Sequence, residues 1–356
     1  MVKTKFWKDR KVLITGQTGF KGAWLTYYLL KQKADITGIA LPPVSEQDLY
    51  NKLSIKDQIN NYFIDIRNLT EIKNIISRHR PEVVFHLAAQ PMVIEGYKNP
   101  LNTFETNVNG TINLLEVCRI TPEVKSICVI TTDKVYRNNL TEHTLGFSED
   151  DPLGGLDPYS ASKSAADIVS SSYFESFLKP NNVALTNVRA GNVIGGGDWG
   201  ENRLVPDLMK ALITEEAIEL RNPSHTRPWQ HVLETVLGYC SIAEQQYYDP
   251  NLSGSYNIGP DCIDIKTVRE VVGLFSKYFK TLIVRDGLQL AKYNESELLN
   301  LQNSKAKKSF GITPVLSFDE TIELTAVWYD LFNKGSSARS LCDADIDYFE
   351  RKLSAI

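Results

Sequence analysis

Short apolar runs rich in β-branched residues alternate with longer stretches of helical period through the first half of the chain. Residues 11–15 (KVLIT), 35–40 (DITGIA), 61–65 (NYFID), 82–87 (EVVFHL) and 126–131 (SICVIT) predict strands, with a further one at 183–188. Between them, residues 23–32, 69–80 and 101–120 space their apolar positions three and four apart, which predicts helices. Apolar strands separated by helices imply parallel pairing with helices on both faces. After Gly191 the pattern changes. Gly195, Gly196 and Gly197 make a loop, residues 203–214 read as helical, and Asn222-Pro223 and Arg227-Pro228 are breakers. Beyond residue 260 the pattern gives one or two helices, a strand at 281–285 and a helical, Asp-rich tail. The expected fold class is α/β: a doubly wound parallel Rossmann sheet with a smaller C-terminal α/β substrate-binding lobe. Residues 1–190 are expected in the Rossmann domain, joined by a returning segment near 229–260, and residues 191–228 and 261–356 in the lobe.

Composition narrows the class. The 356 residues are 42% hydrophobic and 23% charged, enough for one large or two intimately joined domains. A net charge of -4 gives no general attraction for nucleic acid or an anionic membrane. Five scattered cysteines, at 118, 128, 240, 262 and 342, show neither metal-ligand spacing nor a disulfide framework, which suits a reducing compartment. No apolar run approaches the roughly 20 residues of a membrane span, and residues 1–10 lack a signal-peptide core. The expectation is a cytoplasmic enzyme with no metal, because no histidine cluster stands with acids or cysteines.

Five segments carry chemistry. Thr15-Gly16-Gln17-Thr18-Gly19-Phe20-Lys21-Gly22 follows the first strand and opens the first helix. Missing side chains there let a backbone approach a pyrophosphate, whose charge then sits on a helix N-terminus. Asp65 and Ile66 end the third strand, where the acid could hold an adenine amino group; its bland reading is a loop-starting acid. Leu87, Ala88, Ala89 and Gln90 offer small residues beside a nicotinamide ribose. The second strand ends in Leu41-Pro42-Pro43, with neither the acid nor the arginine that would separate NAD from NADP. Thr131, Thr132, Asp133 and Lys134 end the fifth strand, and Tyr159 and Lys163 are spaced to share a helix face. A tyrosine with a free pKa near ~10 is a poor base at neutral pH, and a neighbouring ammonium lowers it. His86, in an apolar strand, reads as a satisfied core histidine.

These segments, with Asn107, resemble the extended short-chain dehydrogenase/reductase family. Within it the chain is most similar to the CDP-glucose 4,6-dehydratases, through Phe6-Trp7, Gly19-Phe20-Lys21-Gly22, Ala40-Leu41-Pro42-Pro43, Ala89-Gln90-Pro91 and Asp151-Pro152-Leu153-Gly154-Gly155. The blocks RAGNVIGGGDW from Arg189, RLVPD from Arg203 and RPWQHVLE from Arg227 complete the likeness, which spans about residues 6 to 260. Gln17, Ile94 and Val135 replace a histidine, an arginine and a cysteine usual in the subgroup, and the loop of residues 137–141 also differs.

The resemblance implies NAD as cofactor, held by Gly16, Thr18, Gly19, Phe20, Lys21, Gly22, Asp65, Ile66, Leu87, Ala88, Ala89, Gln90, Asn107, Thr131, Tyr159 and Lys163. It implies dehydration of CDP-glucose to a 4-keto-6-deoxy sugar for surface-polysaccharide synthesis. Tyr159 takes the C4 hydroxyl proton, Thr132 bonds that oxygen, Lys134 removes the C5 proton and Asp133 protonates the departing C6 hydroxyl. A lysine near ~10.4 is protonated at neutral pH, so Lys134 needs desolvation or a nearby cation; alternatively it stays charged and stabilises the enolate. Asp133 needs its pKa raised, as in apolar sites. Gln90, Asn192, Arg203, Leu204, Arg227, Gln230 and His231 are the expected substrate contacts, the arginines suiting a diphosphate. A homodimer, or a pair of dimers, is implied through helices following residues 100 and 159. Two other readings stay open: a nucleotide-sugar 4-epimerase, which has no use for an acid and amine at 133 and 134, and a catalytically silent cofactor-binding protein.

Overall fold

The computed structural model of the protein describes residues 5–138, 146–220, 222–261, 265–287 and 298–355. Cys262 and residues 139–141 of the loop after Tyr136 lie outside them. In chain order the first half runs β1 (Lys11–Thr15), α1 (Phe20–Lys31), β2 (Asp35–Ala40), α2 (Leu49–Lys52), β3 (Asn60–Phe63), α3 (Leu69–His79), β4 (Val83–His86), α4 (Val93–Lys98), α5 (Pro100–Phe104), α6 (Gly110–Arg119), β5 (Ser126–Ile130), α7 (Pro158–Tyr173) and β6 (Ala184–Ala190). The second half adds β7 (Val193–Ile194), α8 (Leu204–Thr214), β8 (Ala217–Leu220), β9 (Thr226–Arg227), β10 (Gln230–His231), α9 (Val232–Tyr248), β11 (Gly254–Ile258), β12 (Lys266–Thr267), α10 (Val268–Tyr278), β13 (Ile283–Asp286), α11 (Ser304–Phe310), α12 (Phe318–Asn333) and α13 (Ala338–Leu353).

One seven-stranded sheet, ordered β11-β6-β5-β4-β1-β2-β3, organises the molecule, and all its pairings are parallel. Side chains alternate across it. In β1, Val12 and Ile14 join a core with Trp24 of α1 and Val236 of α9, whereas Leu13 joins a second core with Ile72 of α3 and Leu114 of α6. Both faces are therefore buried, which is why the strand sequences read as continuous apolar runs. The chain order reverses between β1 and β4, and at that switch point the carboxyl ends of neighbouring strands open a crevice. His86 fastens the crevice floor: its Nδ1 lies 2.7 Å from Thr15 Oγ1 and its Nε2 2.8 Å from Thr111 Oγ1. Burial drives its pKa down to about 3, so the ring is neutral and shared between β1, β4 and α6.

The structure departs from the expected elements in three places. The helix expected over 101–120 is α5 and α6 joined by one π-turn, Glu105–Asn109. Such a turn inserts one residue and re-aims a side chain, here Asn107. The strand β11 and its preceding helix α9 were not expected as elements, because GSYNI has neither an apolar run nor clean alternation. Beyond residue 260 the described residues show the expected strand as β13 and the helical tail as α13, but three further helices, α10, α11 and α12, where one or two were expected; α10 and α12 open with full capping boxes at Thr267/Glu270 and Ser317/Glu320.

Candidate active site at the carboxyl ends of the strands

The loop after β1 is built to bring its own backbone close to the next strand. Gly16 has φ +82°, and a Cβ there would stand 2.7 Å from the Ala88 nitrogen. A Cβ on Gly22 would stand 2.0 Å from the Gly16 oxygen, so α1 begins directly against the turn. The N-cap of α1, Gly19, supplies no side-chain cap, leaving the first amides of the helix to a ligand or water. From this turn a cavity of about 720 Å³ runs along the strand ends, past Asp65, Ile66 and Leu87–Gln90, to Thr131–Lys134, Tyr159 and Lys163. Its size and its backbone-lined trough at one end fit a dinucleotide with a second ligand beyond it.

Gln90 lines the cavity, but its amide is committed to its own loop: Nε2 donates to Met92 O and Thr103 Oγ1, and Oε1 accepts from Met92 N. Asn107 stands behind it. Its side chain accepts from Gln90 N at 2.8 Å and donates to Gln90 O and Ser162 Oγ. Asn107 thus shapes the wall from the π-turn and is not itself among the cavity-lining residues. Asp65 and Ile66 reach the cavity, and the Asp65 carboxylate is gripped by the Arg67 guanidinium at 2.6–3.1 Å, which holds its pKa below the usual range.

The reacting end lies where β5 stops. Thr132 caps a 3₁₀ turn, Asp133–Val135, its hydroxyl accepting from Lys134 N and donating to Asp133 Oδ1 at 2.8 Å. Asp133 is 2% exposed, and among the described residues its Oδ2 has no hydrogen-bond partner. Burial raises its pKa, and that outweighs Lys134, the Thr132 hydroxyl, Arg227 and Lys21, which all act the other way. Desolvation thus prevails over the neighbouring lysine in the direction of the shift. Among the described residues, Lys134 Nζ makes no hydrogen bond or ion pair.

Helix α7 starts from an Asp157 cap with Pro158 in its first turn and places Tyr159 and Lys163 on one face. Lys163 Nζ donates to Ile130 O at 2.9 Å, and burial with nearby Lys21 pushes its pKa down to about 7. Tyr159 is pushed up to about 12 by burial, opposed by the Thr132 hydroxyl. The tyrosine expected to be acidified by its lysine is thus not acidified by the protein alone, because its burial outweighs the Thr132 hydroxyl and Arg203, which act the other way. Lys21 lies partly buried between Arg203 and Asp133; burial and Arg203 bring it down to about 8.

Of the expected substrate contacts, Asn192, Arg203, Leu204 and Arg227 line the cavity. Arg203 Nη1 is held at 3.0 and 3.1 Å from the two oxygens of Asp198, an acid not singled out from sequence although it ends the glycine run 195–197. Arg227 is buried and gives Nη1 to Thr226 O at 2.7 Å. Gln230 and His231 fall elsewhere. Gln230 Nε2 donates to Ile258 O, and His231 is fully buried, its Nδ1 accepting from Leu233 N at the start of α9. Gln230 thus reaches β11 while the His231 ring lies against Trp24 of α1, so both side chains are taken up by the core rather than by the cavity. Their neighbour Trp229 does line the cavity, as do His225 and Glu219, for which no local pattern pointed. Among the described residues, no helix is long and apolar enough to cross a membrane.

The buried acid generates a test. Between the unfolded carboxyl value of about 3.9 and the raised folded value, the unfolded chain gives up its proton while the folded one keeps it, so Asp133 costs stability as pH rises through that window. D133N is expected to raise Tm at pH 7 by about 1–2 °C and to bring no gain below about pH 4. Thermal melts across pH check this; a gain unchanged at pH 4, or none at pH 7, would show a carboxylate already ionised in the fold.

A family model described as GDP-mannose 4,6 dehydratase matches residues 13–325. A CDP-glucose 4,6-dehydratase of Salmonella typhimurium is 38% identical over 345 residues, covering 94% of each chain. Among solved structures, a dTDP-glucose 4,6-dehydratase of Bacillus anthracis in complex with NAD has a TM-score of 0.74 at 23% identity, over 93% of this chain and 99% of that one. A UDP-glucose 4-epimerase of Stenotrophomonas maltophila with NAD and a formylated UDP-arabinopyranose has a TM-score of 0.79 at 18% identity, over 92% and 100%.

Proposed function

The chain belongs to the GDP-mannose 4,6 dehydratase family, and on that premise we propose that it converts CDP-glucose to CDP-4-keto-6-deoxyglucose with NAD as a recycled cofactor. The observation that carries this reading is the Asp133 carboxyl, buried, protonated above its ordinary range and beside Thr132 on the wall shared with Tyr159. A 4-epimerase, the second reading, needs Tyr159, Lys163 and Thr132 but has no step for a proton-donating acid there.

Gly16, Gly19 and the first amides of α1 would hold the pyrophosphate of NAD, with Tyr159 and Lys163 at its nicotinamide end. So held, the cofactor would supply a hydride acceptor for C4, a hydride donor for C6 and a positive charge favouring the Tyr159 phenolate. The protein moves the protons. Tyr159 Oη accepts the proton of the C4 hydroxyl while Thr132 Oγ1 orients the same oxygen. The C4 ketone makes the C5 proton acidic. Lys134, on the adjoining turn, accepts that proton when neutral and returns it to C5 once hydride has been delivered at C6; when charged it steadies the enolate while water takes and returns the proton. Asp133 Oδ2, which none of the described residues engages, delivers its proton to the departing C6 hydroxyl. Arg203 and Arg227 supply the guanidinium pair for the substrate diphosphate, and burial of the site keeps water from the unsaturated intermediate.

Incubation of the purified protein with NAD and, separately, CDP-, dTDP-, UDP- and GDP-glucose tests the reading by mass spectrometry. Loss of one water from CDP-glucose is expected, and D133N should slow it by about 10²–10⁴-fold. Water loss from another nucleotide alone would overturn the base assignment, and a product of unchanged mass would move epimerisation to the front.

A homodimer fits the surface. Leu101 and Phe104 on α5 and Ile168 on α7 are exposed apolar residues, and these two helices pack side by side. A second copy related by a two-fold axis would cover the same patch on both subunits. Light scattering is expected to give a dimer for the parent protein and a monomer for L101D/I168D; a monomeric parent would remove this assembly.

A further inference from the structure

Behind the active site lies a buried ion pair that no step of this chemistry uses. Asp167 follows Lys163 by one helical turn on α7 and points back into the sheet. Its carboxylate receives Arg189 of β6 as a fork, Nε to Oδ2 at 2.9 Å and Nη2 to Oδ1 at 2.8 Å, with the two side chains 1% and 3% exposed. Thr131 Oγ1, one residue before the catalytic turn, donates to the same carboxylate at 3.2 Å, and Asn187 Nδ2 adds a further bond at 3.2 Å.

The other face of the guanidinium holds the far end of that turn. Arg189 Nη1 donates to Tyr136 Oη at 2.9 Å and to Glu149 O at 3.1 Å, and Nη2 donates to Ser255 Oγ at 3.0 Å. Tyr136 Oη in turn donates to Asn257 Oδ1 at 2.6 Å, and its ring stacks on Phe147 with centroids 5.0 Å apart. Every N–H of the Arg189 side chain is therefore spoken for. Desolvating two charges gives back little net stability even when they are well paired. What such a network fixes is relative position: it clamps both ends of residues 131–136 to the helix that carries Tyr159 and Lys163.

We propose that Asp167, Arg189 and Tyr136 are positioning residues that keep two catalytic sets in register. One set, Tyr159 and Thr132, acts at C4. The other, Asp133 and Lys134, acts at C5 and C6 of the same bound sugar. This rests on the dehydratase reading. The first set has independent anchors, since Lys163 Nζ bonds Ile130 O and α7 packs on α4, α5 and α6. The second set sits on a three-residue turn whose C-terminal side is held by Tyr136, by Ser164 Oγ donating to Val135 O, and by Gly154 N on the same carbonyl. A displacement of about 1 Å costs on the order of 10²-fold in rate. Loosening the network should thus slow elimination more than oxidation.

Rapid-quench mass spectrometry of Y136F and R189K with NAD and CDP-glucose separates the steps. The first oxidation leaves a sugar lighter by two hydrogens; completed dehydration leaves one lighter by a water. The parent is expected to pass to the dehydrated product without accumulating the keto-glucose. Y136F should accumulate it, with dehydration slowed about ten-fold, KM within about two-fold and a melt close to that of the parent. R189K keeps the charge but loses the fork and should do so more strongly. Y159F, as control, should make neither species. If R189K does not fold, Y136F decides. Variants that convert CDP-glucose as the parent does, or whose two steps slow equally and in proportion to lost folded protein, overturn the positioning role. A parent that forms no dehydrated sugar overturns the underlying reading instead.

Discussion

Exclusion of water from the carboxyl edge of the sheet governs the rest of the site. Burial acts on three ionisable groups there and pushes each toward neutrality: the Asp133 carboxyl up, the Lys163 ammonium down, the Tyr159 phenol up. A raised carboxyl pKa suits the general acid proposed at Asp133, and burial by the protein alone moves it in that direction. For Tyr159 the same burial works against the base it must become, and the free protein leaves it protonated. The site is therefore half prepared, and the charges of its ligands complete it.

That exclusion follows from how the strands are arranged. β1 and β4 are neighbours although α1 to α3 separate them in sequence, and His86 ties their ends to α6 through two hydroxyls. On the other side, α7 lies across β5 and β6 and brings its tyrosine and lysine over the strand ends. A helix thus supplies Tyr159 and Lys163, whereas Asp133 and Lys134 ride on the three-residue turn after β5.

Sequence made the parallel sheet, the glycine turn and the grouping of Thr132–Lys134, Tyr159 and Lys163 at one cavity legible because each is a local signal: an apolar run, a glycine spacing, a helical repeat. It did not show α9 and β11, whose identity as sheet elements depends on β5 and β6 lying open to receive them. It placed Asn107 at the cofactor, whereas a π-turn rotates that side chain onto the Gln90 loop. Gln230 and His231 share a motif with the cavity-lining Arg227 and Trp229, but adjacency in a motif does not decide which face of a two-residue strand a side chain takes. The Asp167–Arg189 pair was invisible for another reason: its members are distant in sequence and ordinary in type, and only the packed fold makes them partners.

The late position of β11 has a consequence for synthesis. The sheet is six strands wide when Ala190 has been made, yet β6 stays an unpaired edge until residues 254–258 arrive, and α9, which covers β5 and β6, ends only at Tyr248. A nascent chain thus carries an open strand edge and a bare apolar face while more than a sixth of its length is still being added between β6 and β11. The sheet cannot be completed within that interval, and the edge of β6 and the face later covered by α9 stay exposed until it ends.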